Sequence, residues 1–277
     1  MKVRDLLADA AMRLGGGEAR LDAELLLARA LGKSRAWLYA WPEHEPDEAQ
    51  LTEFARVVAA RERGEPIAYL TGHREFWSLD LALTPDVLIP RHETELLVEI
   101  ALTHVPADRD VRIADLGTGS GAIALAIARE RPRTRVIATD ASNAALDVAR
   151  NNARRLGVGN VAFAQGDWFA ALGRERFDLI ASNPPYIAEH DAHLDVGDLR
   201  FEPRSALVAG AEGFDAIRRI IAGASEHLNA DGWLILEHGW DQAERVRALL
   251  VSGEYAEVAS ARDGAGHERV TFGKKPR

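Results

Sequence analysis

Residues 113–128 read IADLGTGSGAIALAIA. The run opens as a short apolar strand, meets glycines at 117, 119 and 121, and continues as an alanine-rich segment suited to a helix. Strand, glycine turn and helix form the unit from which parallel sheets are assembled. Outward from it, strand-like and helix-like runs alternate from about residue 92 onward: VRIADL, AIALAIARE, RVIATD, AALDVARNNARRLG, VAFAQGD, FDLIASN and GWLILEHG. That alternation predicts an α/β fold, a mostly parallel sheet with helices on both faces.

Upstream the period changes. Val3, Leu6, Leu7, Ala10 and Leu14 keep helical spacing, Leu21, Leu25 and Ala28 repeat it, and LGGGEA separates the two runs. DEAQLTEFARVVAARERG begins with acids and stops at Gly64, as a capped helix does. Between the two regimes, REFWSLDLALTPDVLIP has aromatic and β-branched residues in partial alternation, and its break at Thr84, Pro85 and Asp86 suggests a hairpin. The expected organisation is a small helical domain over 1–73, a β-hairpin connector over 74–91 and an α/β domain over 92–277.

Composition narrows the function. The 277 residues include no cysteine, which excludes disulfides, thiol catalysis and zinc-cysteine or iron–sulfur sites. The nine histidines show no HExxH spacing, so no metal is expected. Thirty-four basic against 43 acidic residues give a formal charge of −9, which argues against direct binding to nucleic acid. No apolar run is long enough to span a membrane and MKVRDLLADAAMRLGGG is not a secretory signal, so the chain is read as cytoplasmic.

The glycine loop admits two ligands. Its letters fit G-x-G-x-x-A, with Asp140 closing the next strand where a dinucleotide fold places a ribose-binding acid. They also fit G-x-G-x-G, a loop for S-adenosylmethionine. Charge favours the second ligand: Asp115 beside the loop would repel a pyrophosphate and attract an ammonium or sulfonium. Asp140 can accept both ribose hydroxyls, with helix capping of ASNAALDVARNN as the plain alternative. Asp167 can accept from an adenine amino group and Trp168 can pack on the base, the plain alternative for Trp168 being a core aromatic.

A second motif, Asn183-Pro184-Pro185-Tyr186, follows the buried run FDLIAS and so falls at the same sheet edge. Two prolines make the turn stiff and poor in N–H donors. A planar nitrogen bearing two hydrogens is a weak nucleophile until both N–H bonds are held out of conjugation. The Asn183 side-chain oxygen can take one and the Pro184 carbonyl the other, while Tyr186 stacks on the flat group. The expected chemistry is therefore methyl transfer to a planar nitrogen.

With these residues in place the chain resembles the class I methyltransferases that modify a glutamine side-chain amide, the HemK/PrmC-type peptide chain release factor glutamine methyltransferases. The resemblance spans LDAELLLARALGKSRAWL, GEPIAYLTGHREFWSLDLALTPDVLIPRHETE, DLGTGSGAIALA, SNPPYI, FEPRSALVAGAEG and GHERV. It implies methylation of the N5 amide in the Gly-Gly-Gln loop of class 1 release factors, with S-adenosylhomocysteine as co-product. The implied donor site is Gly117, Thr118, Gly119, Ser120, Gly121, Asp140, Trp168 and Asn183; Asn183, Pro184, Pro185 and Tyr186 hold the amide, and the helical domain helps grip the protein substrate. Alternatives are a ribosomal-protein glutamine methyltransferase and a DNA or RNA exocyclic-amine methyltransferase. One departure is His92 in PRHETE, where the family usually has proline; that segment reads as a helix start and His238 as a sheet-edge histidine, and neither is placed in the site.

Overall fold

The helical stripes near the start of the chain become five helices: α1 (Val3–Leu14), α2 (Ala19–Leu31), α3 (Arg35–Ala40), α4 (Glu48–Glu62) and α5 (Ile67–Thr71). Local chemistry sets their ends. Ser34 caps α3 by accepting the Trp37 N–H, and Asp47 and Gln50 form a reciprocal capping box on α4. Gly32 ends α2 in the left-handed region that a Cβ disfavours. Val3, Leu7 and Ala10 of α1 share one core with Leu26 and Leu27 of α2 and Val57 and Val58 of α4.

The inward face of α2 differs from the expected stripe. Leu21 is exposed and Leu25 half-buried, whereas Ala23, Leu26, Leu27 and Leu31 are buried. Acids on the buried face hide the true phase: Asp22 accepts from Arg61, and Glu24 accepts from Arg20, Arg35 and Tyr39. Paired in this way, a carboxylate can occupy a position that sequence patterning reserves for apolar residues.

The computed structural model describes all 277 residues, in two compact units: Met1–His73 with Asp195–Phe201, and Arg74–Leu194 with Glu202–Arg277. Strands β1 (His73–Phe76) and β2 (Leu79–Ala82) pair as a hairpin whose turn is Trp77–Ser78, not the expected Thr84–Asp86. Both turn residues have positive φ, 52° and 56°. A two-residue hairpin turn requires that conformation, and here it is met without the usual Asn or Gly, so the turn is silent in the sequence. Phe76, Leu79 and Leu81 are buried in the core of the second unit.

That core is built on a seven-stranded sheet in the order β5-β4-β3-β6-β7-β9-β8. Its strands are β3 (Arg112–Leu116), β4 (Arg135–Asp140), β5 (Val161–Gln165), β6 (Phe177–Ser182), β7 (Leu228–Glu237), β8 (Ala256–Arg262) and β9 (Glu268–Lys274). The first five in sequence pair in parallel, and β9 joins β7 and β8 antiparallel. Helices α6 (Glu95–His104), α7 (Ala122–Glu130), α8 (Asn143–Leu156), α9 (Asp215–His227) and α10 (Ala243–Ser252) complete it. One core layer packs β3, β4 and β6 with α6 and α7; another packs β6 and β7 with α9 and α10. The order reverses beside β3, with β4 on one side and β6 on the other, which opens a crevice at the carboxyl ends of these strands. No helix is long and apolar enough to cross a membrane.

Candidate active site at the strand ends

The glycine loop leaves β3 at Leu116 and enters α7 at Ala122. Gly117, Gly119 and Gly121 all have positive φ, 74°, 55° and 87°. Their surroundings separate their roles. Gly117 and Gly119 line a cavity of about 360 Å³; a Cβ on Gly119 would meet no protein atom within 4 Å and would project into open space. Gly121 faces the protein: a Cβ there would stand 3.0 Å from Leu125 Cδ1 and 3.2 Å from the Ala149 Cβ, so it serves the close approach of α7 and α8. Thr118 and Ser120 are buried and off the cavity wall; Thr118 donates to Asp115 at 2.6 Å, and the Ser120 carbonyl accepts from Asn152 at 3.0 Å.

Asp115, whose charge favoured a cationic donor, stands behind the cavity and not on its wall. Its side chain is fully buried, it does not line the cavity, and Oδ1 has no hydrogen-bond partner. Burial pushes its carboxyl up to about 7, against the opposing Thr118 hydrogen bond, and the Asp140 charge pushes the same way. The fit to a ligand falls instead to Asp140 at the end of β4. Asp140 Oδ2 accepts the Gly119 N–H and Oδ1 the Ser142 N–H, each at 2.9 Å, which fixes the carboxylate at the cavity wall with lone pairs to spare. The α8 N-cap is Ser142, whose Oγ accepts the Ala145 N–H, so Asp140 is not the helix cap.

Trp168 lines the same cavity, half-buried, with its backbone in the left-handed region at φ 51°. Such a conformation costs a bulky residue roughly 1–3 kcal/mol and is characteristic of binding sites. A Cβ on Gly117 would lie 3.6 Å from Trp168 Cζ3, so the missing side chain leaves room at the indole edge. Asp167 is exposed and paired with Arg219 at 2.6 Å.

Asn183 and Pro185 bring the acceptor motif to this cavity; Pro184 is buried, and neither it nor Tyr186 lines the wall. The Asn183 amide nitrogen donates to Thr94 Oγ1 at 3.1 Å, and the Tyr186 hydroxyl reaches Glu237 Oε1 at 3.4 Å. Burial and then the Glu237 charge hold the Tyr186 phenol above its ordinary value. Glu237, at the end of β7, is buried and lifted to about 7 by desolvation, with a Thr94 hydrogen bond opposing the rise.

Several of these residues were not legible as site residues. Thr94 sits in the turn His92–Thr94 before α6, the segment read only as a helix start. His92 itself is exposed beside Glu95, and the buried His238 is held by the Gly239 carbonyl and Thr271, outside the cavity wall. Residues 85–88, with Pro203, Ser205 and Ala206, line the cavity as well, as do Asp167 and its neighbour Gly166, and buried Glu202 ties the flanks of these two segments together by taking Arg91 and the Ile89 N–H. The only trace of these contacts in the sequence was that LIPRHETE and FEPRSALV both belong to the family-like stretches.

Together these groups form a cavity walled by three glycines (Gly117, Gly119 and Gly166), a fixed carboxylate, an indole and an amide-bearing turn. That set fits a nucleoside with vicinal hydroxyls and an aromatic base, as S-adenosylmethionine is.

Family models for the PrmC N-terminal domain and the methyltransferase small domain match residues 5–72 and 93–207. A release factor glutamine methyltransferase of Xylella fastidiosa is 52% identical over 271 residues, covering 98% of this chain and 97% of that protein. The Pseudomonas aeruginosa protein of the same name is 51% identical, with 92% of each chain covered. The solved structure of a methyltransferase from Pyrococcus furiosus superposes with a TM-score of 0.56 at 18% identity, over 80% of this chain and 100% of that one, and shares the fold. At about half identity over nearly its full length, this chain belongs to the release factor glutamine methyltransferase family.

Proposed function

We propose that this protein transfers a methyl group from S-adenosylmethionine to the N5 amide nitrogen of the glutamine in the Gly-Gly-Gln loop of class 1 peptide chain release factors. The observation that carries the reading is the convergence of Gly117, Gly119, Asp140, Trp168, Asn183 and Pro185 on one cavity at the carboxyl edge of a parallel sheet. Relatives at about 50% identity are named release factor glutamine methyltransferases.

When bound, S-adenosylmethionine supplies an electrophilic methyl on a positively charged sulfur. Gly117 and Gly119 let the donor lie against the backbone, Asp140 accepts the ribose hydroxyls and Trp168 flanks the base. Thr118, Ser120 and Gly121 shape the loop from behind. Asn183 borders both ligands; its side-chain oxygen takes one N–H of the glutamine amide and the Pro184 carbonyl takes the other, which draws the nitrogen lone pair out of conjugation. Pro185 keeps the turn rigid and Tyr186 closes it behind the acceptor. Orientation is the main lever, since alignment of two reactants is worth up to roughly 7–11 kcal/mol in favourable cases.

Labelled donor offered to the enzyme with purified release factor, with ribosomal proteins or with nucleic acid tests the reading. Mass spectrometry is expected to place the label on one release-factor glutamine. Label on a ribosomal-protein glutamine or on a base amine would replace it.

A further inference from the structure

The mechanism above needs the Pro184 carbonyl to stay aimed at a substrate N–H, yet proline fixes only φ. The residue before a proline is confined to extended conformations, which leaves ψ of Asn183 and Pro184 a range of roughly 40°. Within that range the carbonyl can swing unless both ends of the turn are held. The entry is held by Ser182, paired with β3 and β7. The exit is held by the peptide unit joining Tyr186 to Ile187, whose two polar groups are both tied. The Ile187 N–H donates to the Leu207 carbonyl at 2.9 Å, and the Tyr186 carbonyl accepts from Gln242 Nε2 at 3.0 Å. A planar unit tied on both sides has little freedom to rotate.

Gln242 is buried at the N-cap of α10, yet its side chain makes no capping bond to that helix. Serine, threonine, aspartate and asparagine suit that position; glutamine does not. Its amide joins the end of β7 to the acceptor turn instead. Oε1 accepts the Gly239 N–H at 2.9 Å. A backbone N–H can only donate and a carbonyl only accept, so the amide has one orientation, with Nε2 toward Tyr186. Two glycines make room for this contact. A Cβ on Gly213, at φ 73°, would run into the Tyr186 carbonyl oxygen, and one on Gly239 would stand 3.1 Å from Gln242 Cδ.

We propose that Gln242 is a positioning residue for methyl transfer, a clamp on the Tyr186 carbonyl that keeps the Pro184 carbonyl aimed at the glutamine amide. This rests on the acceptor turn holding that amide. Gln242→Met keeps the side-chain length and removes both hydrogen bonds. Gln242→Asn is one methylene short of Tyr186 but is a better cap for α10. With release factor as substrate, each is expected to lower kcat by about tenfold or more, as small misplacements of reacting groups do. KM, and donor Kd by titration calorimetry, stay within about threefold, because orientation rather than binding is lost. Gly213→Ala displaces the same carbonyl and shows the same split, and adding Gln242→Met to it slows turnover by no more than about twofold further.

Either Gln242 variant turning over within about twofold of wild type would overturn the clamp; Gln242→Asn doing so would assign the residue to the end of α10. A loss of kcat matched by an equal loss of donor affinity would overturn it too, as general damage to the site. If Gln242→Met does not fold, Gln242→Asn decides alone. A wild-type enzyme that places no methyl on glutamine would remove the reading on which the clamp rests, and that is seen before any variant is compared.

Discussion

Asp140 and Asn183 both reach the same cavity, yet their hydrogen bonds assign them different work. The two oxygens of Asp140 are each anchored by one backbone N–H, from Gly119 and Ser142, so the carboxylate is held rigidly on the cavity wall with lone pairs to spare. Asn183 is anchored through its nitrogen to Thr94, on the side of the acceptor turn. Asp140→Ala should weaken donor binding by tenfold or more in titration calorimetry, the loss of about 1.4 kcal/mol or more expected when hydrogen bonds to a charged acceptor disappear. Asn183→Ala should abolish turnover and leave donor affinity within a few-fold. Equal loss of affinity and turnover in Asn183→Ala would merge the two roles, and unchanged affinity in Asp140→Ala would leave Asp140 as a strut of the loop. At this scale the sequence reveals residues that travel in a short motif, as Asn183 to Tyr186 do. Thr94 and Glu237 stay hidden because each is one ordinary polar residue, 143 positions apart, that only folding brings together.

Strands β3 and β7 share a feature that affects stability: each places a carboxyl at its buried carboxyl end, Asp115 and Glu237. Desolvation lifts both to about 7 from ordinary values of 3.8 and 4.5. For an acid with a raised native value, the folded state holds a proton that the unfolded state has released, so stability falls as pH rises between the two values. Each group contributes a slope approaching roughly 1.4 kcal/mol per pH unit within that window. Glu24 of α2 has the opposite sign. Burial pushes it up, but hydrogen bonds from Tyr39, Arg35 and Arg20 hold it below 4.5, so its contribution is present at neutral pH and is lost as pH falls below that value. In the window from pH 5 to 7 the two strand ends are opposed by His104, His227 and His238, which burial holds below 6.5, so that their contribution rises with pH. Urea unfolding across it should give a stability difference, wild type minus Asp115→Asn, that declines as pH rises, because a neutral amide replaces one of the titrating groups. An unchanged slope in that variant would place the titration elsewhere. These acids also mark where element-level reading stops: alternating apolar runs reveal the strands, whereas burial of a carboxyl at a strand end depends on helices packed over it.

Across the whole molecule, the parallel strands were legible because a buried strand between two helices leaves a continuous apolar run, as FDLIAS does. The antiparallel pair β8 and β9 was not, since AEVASAR and ERVTFGK are polar and half-exposed and their pattern resembles a loop. The turn at Trp77–Ser78 was silent for want of Gly or Asn, and Asp195–Phe201 grouping with Met1–His73 has no counterpart in local pattern, because it is a long-range contact. A ligand that binds only the native state stabilises it by mass action, by about 2.7 kcal/mol at a concentration one hundred times Kd. All the residues that line the candidate donor cavity lie in the second unit. Hydrogen exchange of the full chain with S-adenosylmethionine at that excess should therefore slow amides at the strand ends, among them Gly117, Gly119, Ser142 and Gly166, whose bonds frame the cavity. Asp140→Ala should remove most of that protection at the same donor concentration, while Leu26, Leu27 and Val57 in the core of the helical unit keep their rates with and without donor in either protein. Protection that centres on the helical unit, or that survives intact in Asp140→Ala, would place donor binding outside the crevice between β3 and β4.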